Sequence, residues 1–212
     1  MTGLWIWLIA VLFYLAFRVW YDNWRGPLRR EEIDAYLERL EGSELTDTSD
    51  LDSLRLFMEE DDGLEFIMLN LVRLNPDRIP HPETGEPTSA GEILSGYLGT
   101  FLPQLLRRAG HPLLQAQKVG GYVDSWNVEP DPGWSFMGYM RYRSRRDLVE
   151  LVIAPDFSAA HSFKRASMPN TFSFPTQPVV SFYAGPRVWV GLVFGLIAAI
   201  AHLAKLLFFA GA

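Results

Sequence analysis

Two apolar runs bracket this chain and frame what lies between them. Residues 3–17, GLWIWLIAVLFYLAF, hold no charge, and beyond Arg18 the apolar character continues through Val19, Trp20 and Tyr21. Residues 188–212 are apolar apart from His202 and Lys205. Each run reaches the roughly 20 residues that a helix needs to cross ~30 Å of hydrocarbon. Trp5 and Trp7 near one end of the first run, with Trp20, Tyr21 and Trp24 near the other, have the placement of an aromatic belt at headgroup depth. The pattern predicts transmembrane helices over 1–24 and 186–212, with Pro27 breaking the first. A secretory signal is the alternative for the first run. No basic segment precedes its apolar stretch, however, and no A-x-A-like cleavage site follows, so a retained anchor is expected.

Between the runs the periodicity alternates between helical and extended. Ile33, Tyr36, Leu37 and Leu40 recur at helical spacing over 31–41, with Gly42 as a stop, and Leu51, Leu54, Phe57 and Met58 repeat the pattern over 50–60. These two short amphipathic helices make 25–62 an acidic helical linker. Residues 65–74, EFIMLNLVRL, are short, apolar and partly β-branched, and predict a strand. A Pro-rich loop without periodicity covers 75–88. Ser89-x-x-Glu92 then forms a capping box that opens a helix through Ile93, Leu94, Tyr97, Phe101 and Leu105, closed by Gly110, with Pro103 as a kink or a fresh start. Residues 111–124 predict a second strand with a bulge at Gly120-Gly121. After the breaker Glu129-Pro130-Asp131-Pro132-Gly133, residues 135–143 predict a third strand. Residues 145–153 are helical, Pro155 interrupts, and the helix resumes over 158–167. Residues 171–181 form a last strand, which Pro175 and Pro178 confine to an edge or a bulge.

Strand, helix, strand, strand, helix, strand is the split βαβ order. The expected fold is therefore α+β, a ferredoxin-like βαββαβ domain over 63–181 flanked by N- and C-terminal transmembrane helices. Helices cover one face of such an antiparallel sheet. The other face needs a cover, for which a second copy or another subunit is expected.

Charge adds orientation. The net charge is −6. Residues 31–62 alone hold 13 acidic and two basic side chains, so the remainder is about +5. A stretch this acidic is repelled by phosphate backbones and by anionic lipid, and nothing resembles a nucleic-acid footprint. It is read as a solvated helical face, with a docking surface for a basic partner as the sharper alternative. Arg18, Arg25, Arg29 and Arg30 cluster just after the first apolar run, which puts the domain in the cytoplasm and both termini outside a bacterial inner membrane. Lys205 argues weakly the other way. Without cysteine, neither disulfides nor thiolate metal sites are available.

The segments EFIMLNLVR after Glu-Asp-Asp-Gly, then LPQLLRRAGH, then MRYRSRRDLVELVIAPDFSAAHSFKRA resemble the dimeric α/β-barrel superfamily, and are most similar to its small, uncharacterised bacterial members. The resemblance spans about residues 51–181 and omits both apolar runs. It implies two ferredoxin-like sheets meeting face to face around a pocket. Other branches of that superfamily are monooxygenases, isomerases, haem-degrading enzymes or chlorite dismutases, which share a fold and not a mechanism. The added spans favour assembly in the membrane over free homodimerisation.

Strand alternation puts Phe136, Gly138, Met140 and Tyr142 toward the helices and Met137, Tyr139, Arg141 and Arg143 on the opposite face. A pocket of Asn70, Gln115, Gln117, Tyr139 and Arg141 would suit a small anion or carbonyl, arginine offering a fixed fork of donors. The blander alternative is an interface of hydrogen-bonded polar side chains. His161, beside Lys164 and Arg165, is a catalytic candidate with Tyr139 and Arg141 if a substrate proton comes within reach; a surface or interface histidine is the plainer reading. No histidine–carboxylate spacing fits a metal site. In the last helix Gly191, Gly195 and Ala199 make a small-residue stripe for close helix packing, and His202 lies on it. A histidine at that depth needs a partner, in the bland case a hydrogen bond and in the sharp case a haem or chlorophyll-type pigment. The expected function is a membrane-anchored, non-catalytic accessory or assembly subunit of a larger membrane complex. The alternatives are a small-molecule enzyme of the monooxygenase or isomerase type and a pigment- or haem-binding subunit.

Overall fold

The computed structural model describes residues 3–40 and 51–209; the middle of the acidic segment, with the helix stop expected at Gly42, lies outside the described residues. Along the chain run α1 (Leu4–Tyr21), α2 (Arg30–Leu40), α3 (Leu51–Glu59), β1 (Phe66–Arg73), β2 (Ile79–Pro80), β3 (Pro87–Thr88), α4 (Ala90–Arg107), β4 (His111–Gln117), β5 (Phe136–Tyr142), α5 (Arg145–Val152), α6 (Pro155–Ser167), β6 (Asn170–Thr176) and α7 (Pro186–Phe209). The chain forms two compact units, Arg25–Pro178 and the paired terminal segments Met1–Trp24 and Val179–Ala212.

In the larger unit an antiparallel sheet has the order β4-β5-β1-β6. The two crossovers, through α4 and through α5–α6, give the ferredoxin-like arrangement. The pleat sends Phe66 and Val72 of β1 and Phe136, Met140 and Tyr142 of β5 to the helix side, where the core also takes Leu94, Tyr97, Phe101 and Leu105 of α4, Val149 and Leu151 of α5, and Phe157 of α6. Burying aliphatic and aromatic side chains of this kind stabilises a fold by about 1.5–3 kcal/mol each.

Local chemistry explains most boundaries. The Ser89 hydroxyl accepts from the Glu92 amide while the Glu92 carboxylate accepts from the Ser89 amide, so α4 starts with the expected capping box. Pro103 stays inside α4, which runs on to Arg107. Ala109, at φ 56°, turns the chain, and Gly110 follows because a Cβ there would lie 2.4 Å from Leu105 Cδ1 and 2.9 Å from the Arg141 carbonyl. Pro155 begins α6 instead of interrupting a helix, since the first helical position needs no N–H. β4 ends at Gln117, short of Gly120-Gly121, and its irregularity falls at Pro112–Leu114. The Pro-rich loop contains the small β2–β3 hairpin, whose two-residue strands leave no periodicity to detect.

The acidic helices correct the expected domain boundary. Ile33, Leu37 and Leu40 of α2 and Met58 of α3 belong to the same buried core as the sheet, so residues 25–40 and 51–62 are part of the domain and not a linker. What anchors them is the arginine-rich turn between β5 and α5. Arg146, 3% exposed, sets Nε and Nη2 each 3.1 Å from one oxygen of the Glu32 carboxylate, and also donates to the carbonyls of Gly26 and Pro27 at 3.1 and 3.2 Å. Arg145 donates to the Phe57 carbonyl, lies 4.5 Å over the Phe57 ring and pairs with the buried Asp61. Asp61 in turn accepts from the Leu28 amide at 2.8 Å. Part of the acidic segment thus meets its basic partner within the chain.

The Arg146 hydrogen bond holds the Glu32 carboxyl below the usual glutamate value of 4.5. A depressed folded-state pKa means a contribution fully present above pH 4.5 and lost as pH falls through the folded value. The stability difference between the native chain and Glu32→Gln, measured by urea unfolding, should therefore be largest near neutrality and shrink steadily below pH 4.5.

The second unit is a hairpin of α1 and α7 running antiparallel. At one end Arg187 Nε sits 2.7 Å from Asp22 Oδ1, and the Tyr14 hydroxyl donates to the Arg187 carbonyl at 3.0 Å. Midway, Phe13 and Phe194 stack with centroids 5.9 Å apart. At the other end Trp7 meets His202. Both helices are long and apolar enough to cross a membrane, and only 11% and 6% of their apolar windows are buried, unlike the core helices of a water-soluble fold.

Candidate functional site

A cavity of about 280 Å³ lies between the helix-facing side of the sheet and α4–α6. Its walls are mainly apolar, including Met68, Phe101, Leu151 and Phe157. On the sheet side Gln115, Gly138, Asn70 and Ser173 form one row across the four strands. Asn70 is engaged within that row: its amide donates to the carbonyls of Met68 and Gly138 at 3.1 and 3.3 Å, and its oxygen accepts from the Ser173 hydroxyl at 2.7 Å. Burial pushes the phenols of Tyr97 and Tyr142, which also line the cavity, above the usual tyrosine value.

The anticipated pocket of Asn70, Gln115, Gln117, Tyr139 and Arg141 does not assemble, because the pleat divides its members. Asn70 and Gln115 pair across from Gly138, and Gln117 across from Phe136, which puts all three on the helix face. Tyr139 and Arg141 project from the opposite face. The Arg141 guanidinium, 3% exposed, is engaged with Glu65, at 3.1 Å from Nε and 2.5 Å from Nη2, and with the Ala109 carbonyl. It ties the end of β5 to the end of α4. His161 is buried, not at the surface as its basic neighbours implied, and its ring lies 6.5 Å from that of Phe157. The three catalytic candidates Tyr139, Arg141 and His161 are thus divided between the two sides of the sheet.

Lys164 is the chemically loaded residue of the cavity, and the sequence reading passed over it. It lines the cavity from α6, and desolvation lowers its pKa below the ordinary lysine value. The available signal was spacing: Phe157, His161, Lys164 and Met168 follow one helical stripe, and the lysine stands where an inward apolar residue is expected.

The opposite face of the sheet carries two cross-strand apolar rows, Leu114–Tyr139–Leu69–Phe174 and Ala116–Met137–Leu71–Phe172. Leu114, Phe172 and Phe174 are 50%, 45% and 44% exposed, which is unusual for large apolar side chains in register on a sheet.

In the hairpin, His202 Nδ1 accepts from Trp7 Nε1 at 2.9 Å, so the neutral ring carries its proton on Nε2. Gly3 leaves room for that ring, since a Cβ there would come within 3.0 Å of it. Gly191 lets α7 approach Tyr14, where a Cβ would stand 3.3 Å from the ring. Gly195 is half-buried and Ala199 is exposed, while Ala198 is 2% exposed. The stripe facing α1 therefore runs Gly191, Gly195, Ala198, His202, correcting the expected Ala199, because steps of four, three and four residues track the 3.6-residue turn. Among the described residues no group of three histidines or carboxylates gathers to hold a metal.

In comparison with known proteins, no family model and no curated protein matches the chain. Two crystal structures of a protein of unknown function from Rhodopseudomonas palustris are similar to it. One shares 22% identity over 63% of this chain and 96% of that chain, with a TM-score of 0.51. The other, of the methylated protein, shares 23% over 64% and 96%, with a TM-score of 0.52. At these identities the likeness is one of fold. A dimeric protein of unknown function and ferredoxin-like fold from Bacteroides fragilis, at 11% identity over 54% of this chain and 96% of that chain with a TM-score of 0.35, has no bearing on how this chain assembles.

Proposed function

We propose that this chain is a membrane-anchored accessory or assembly subunit of a larger membrane complex, acting through binding and not through a reaction of its own. The hairpin of α1 and α7 spans a bacterial inner membrane, with the Arg25–Pro178 unit in the cytoplasm and both termini outside. The arginines at 18, 25, 29 and 30 support that orientation. The observation that carries the reading is the open sheet face, whose two apolar rows have the register and chemistry of an interface core. Its cover is another subunit of the complex or a second copy of this chain, as the resemblance to face-to-face barrels implies.

The enzyme reading in its monooxygenase or isomerase form is less favoured, because Arg141 is committed to Glu65 and Ala109 and His161 lies on the other side of the sheet. The pigment or haem reading is less favoured because ligation by His202 would have to displace either the Trp7 bond or the Nε2 proton. Extraction in a mild maltoside detergent tests the docking role. A stoichiometric assembly, with itself or with other membrane subunits, is expected. A solitary monomer with nothing bound contradicts it.

A further inference from the structure

We propose that the cavity beneath the sheet is a binding site for a small apolar monocarboxylate, with Lys164 receiving the carboxylate. This site is separate from the open face and stands whether or not that face docks a partner. Four observations on the larger unit converge on it.

The first is position: Lys164 occupies the inward stripe of α6 and lines an otherwise mainly apolar cavity. A half-buried lysine there gives up part of its hydration, and no counter-charge in the wall returns it. The second is the absence of an internal partner. No carboxylate among the described residues pairs with its ammonium, and loss of water alone accounts for its lowered pKa. The third is that most of the sheet-side polar groups are already engaged with one another or with the backbone. Ser173 donates to Asn70, Asn70 donates to Met68 and Gly138, and Thr171 donates to the Leu71 carbonyl at 2.8 Å. A ligand would thus meet one cationic donor among apolar walls and the neutral groups of Gln115, Tyr97 and Tyr142, which selects a single anionic head on an apolar body. The fourth is space. The volume of about 280 Å³ equals that of about nine waters at ~30 Å³ each, enough for a body of about ten non-hydrogen atoms. Gly138 keeps that space open, since a Cβ there would meet only Met140 Cε, at 3.9 Å.

The probe is 4-phenylbutyrate, titrated calorimetrically into the full chain in a neutral maltoside detergent, with 4-phenylbutan-1-ol as its uncharged counterpart. The native chain should bind the acid more tightly than the alcohol. Lys164→Met should weaken the acid by roughly tenfold or more, the scale of a charge-assisted hydrogen bond, and leave the alcohol unchanged. Lys164→Arg should retain most of the acid binding. Gly138→Leu, which projects into the cavity, should abolish binding of both. A melting temperature of Lys164→Met at or above that of the native chain keeps its loss assigned to charge and not to unfolding. The proposal is overturned if the native chain does not bind the acid, if Lys164→Met binds it as well as the native chain does, or if Gly138→Leu still binds it, which would put the probe in the micelle or on the hairpin.

Discussion

Replacing Arg146 with alanine should lower the stability of the Arg25–Pro178 unit by about 3 kcal/mol and release α2 from it. The guanidinium is 3% exposed and serves both oxygens of Glu32 together with two backbone carbonyls, so its removal takes a donor from four acceptors at once and leaves Glu32 only the Arg29 amide and the exposed Arg25. Glu32 keeps some contact with water, which places the loss at the lower end of the range for a broken buried pair. The larger consequence is positional. Once Gly26, Pro27 and Glu32 are untied, Ile33, Leu37 and Leu40 lose what registers them against the core. Hydrogen exchange should report this directly, as lost protection at the α2 amides while β1 and β5 keep theirs. Lysine at 146 should rescue little, because one ammonium cannot reproduce a planar fork spread over a carboxylate and two carbonyls. Arg25 is the internal contrast. Its side chain is 60% exposed and its contacts to Glu32 and Glu150 are 3.3 and 3.4 Å, so Arg25→Ala should cost under about 1 kcal/mol.

Phe174→Lys should weaken assembly by roughly 100-fold or more in apparent Kd while leaving the fold intact. Phe174 sits on the edge strand β6, 44% exposed, and within its own unit it stacks on Phe172 with centroids 6.0 Å apart. Losing that stacking should cost the isolated fold about 1 kcal/mol. In an interface core the same change buries an ammonium opposite apolar side chains, which is far more costly. Sedimentation or native mass measurement of the detergent-extracted protein should show the shift to smaller species, with an unfolding free energy within about 1 kcal/mol of the native chain's.

The sheet was legible because its signals are local and period-two. EFIMLNLVRL and the alternation from Phe136 to Tyr142 assign strand and face together, and the observed core residues of β5 are those the alternation selects. The Ser89–Glu92 capping box located the start of α4 for a similar reason, since both of its partners lie within one turn. Three things were hidden. The bulge at Pro112–Leu114 depends on how β4 meets β5, and Pro112 marks only an edge or a bulge without fixing where the register shifts. The pocket residues were grouped by chemistry, whereas register assigns Asn70 and Gln115 to one face and Tyr139 and Arg141 to the other. The role of the arginine-rich turn was hidden because Glu32 and Arg146 are 114 positions apart, and no local pattern joins them. Lys164 is a different case. Its stripe was visible, but a lysine next to an arginine and near a histidine reads as a solvated basic edge until the helix is seen packed on the sheet.

The most direct test of the covered sheet exploits a chain that has no cysteine. Phe172→Cys places a thiol in the open face, and Val123→Cys places one in the loop between β4 and β5, where the native side chain is fully exposed at 101%. Both variants are treated in intact native membranes with a water-soluble maleimide and then again after denaturation. Shielding of the thiol at 172 in the membrane, with ready reaction at 123 and equal reaction of both once denatured, is the expected result. Equal, rapid labelling of the two positions in native membranes would mean that the sheet face stands bare in its own setting, and would contradict the docking role.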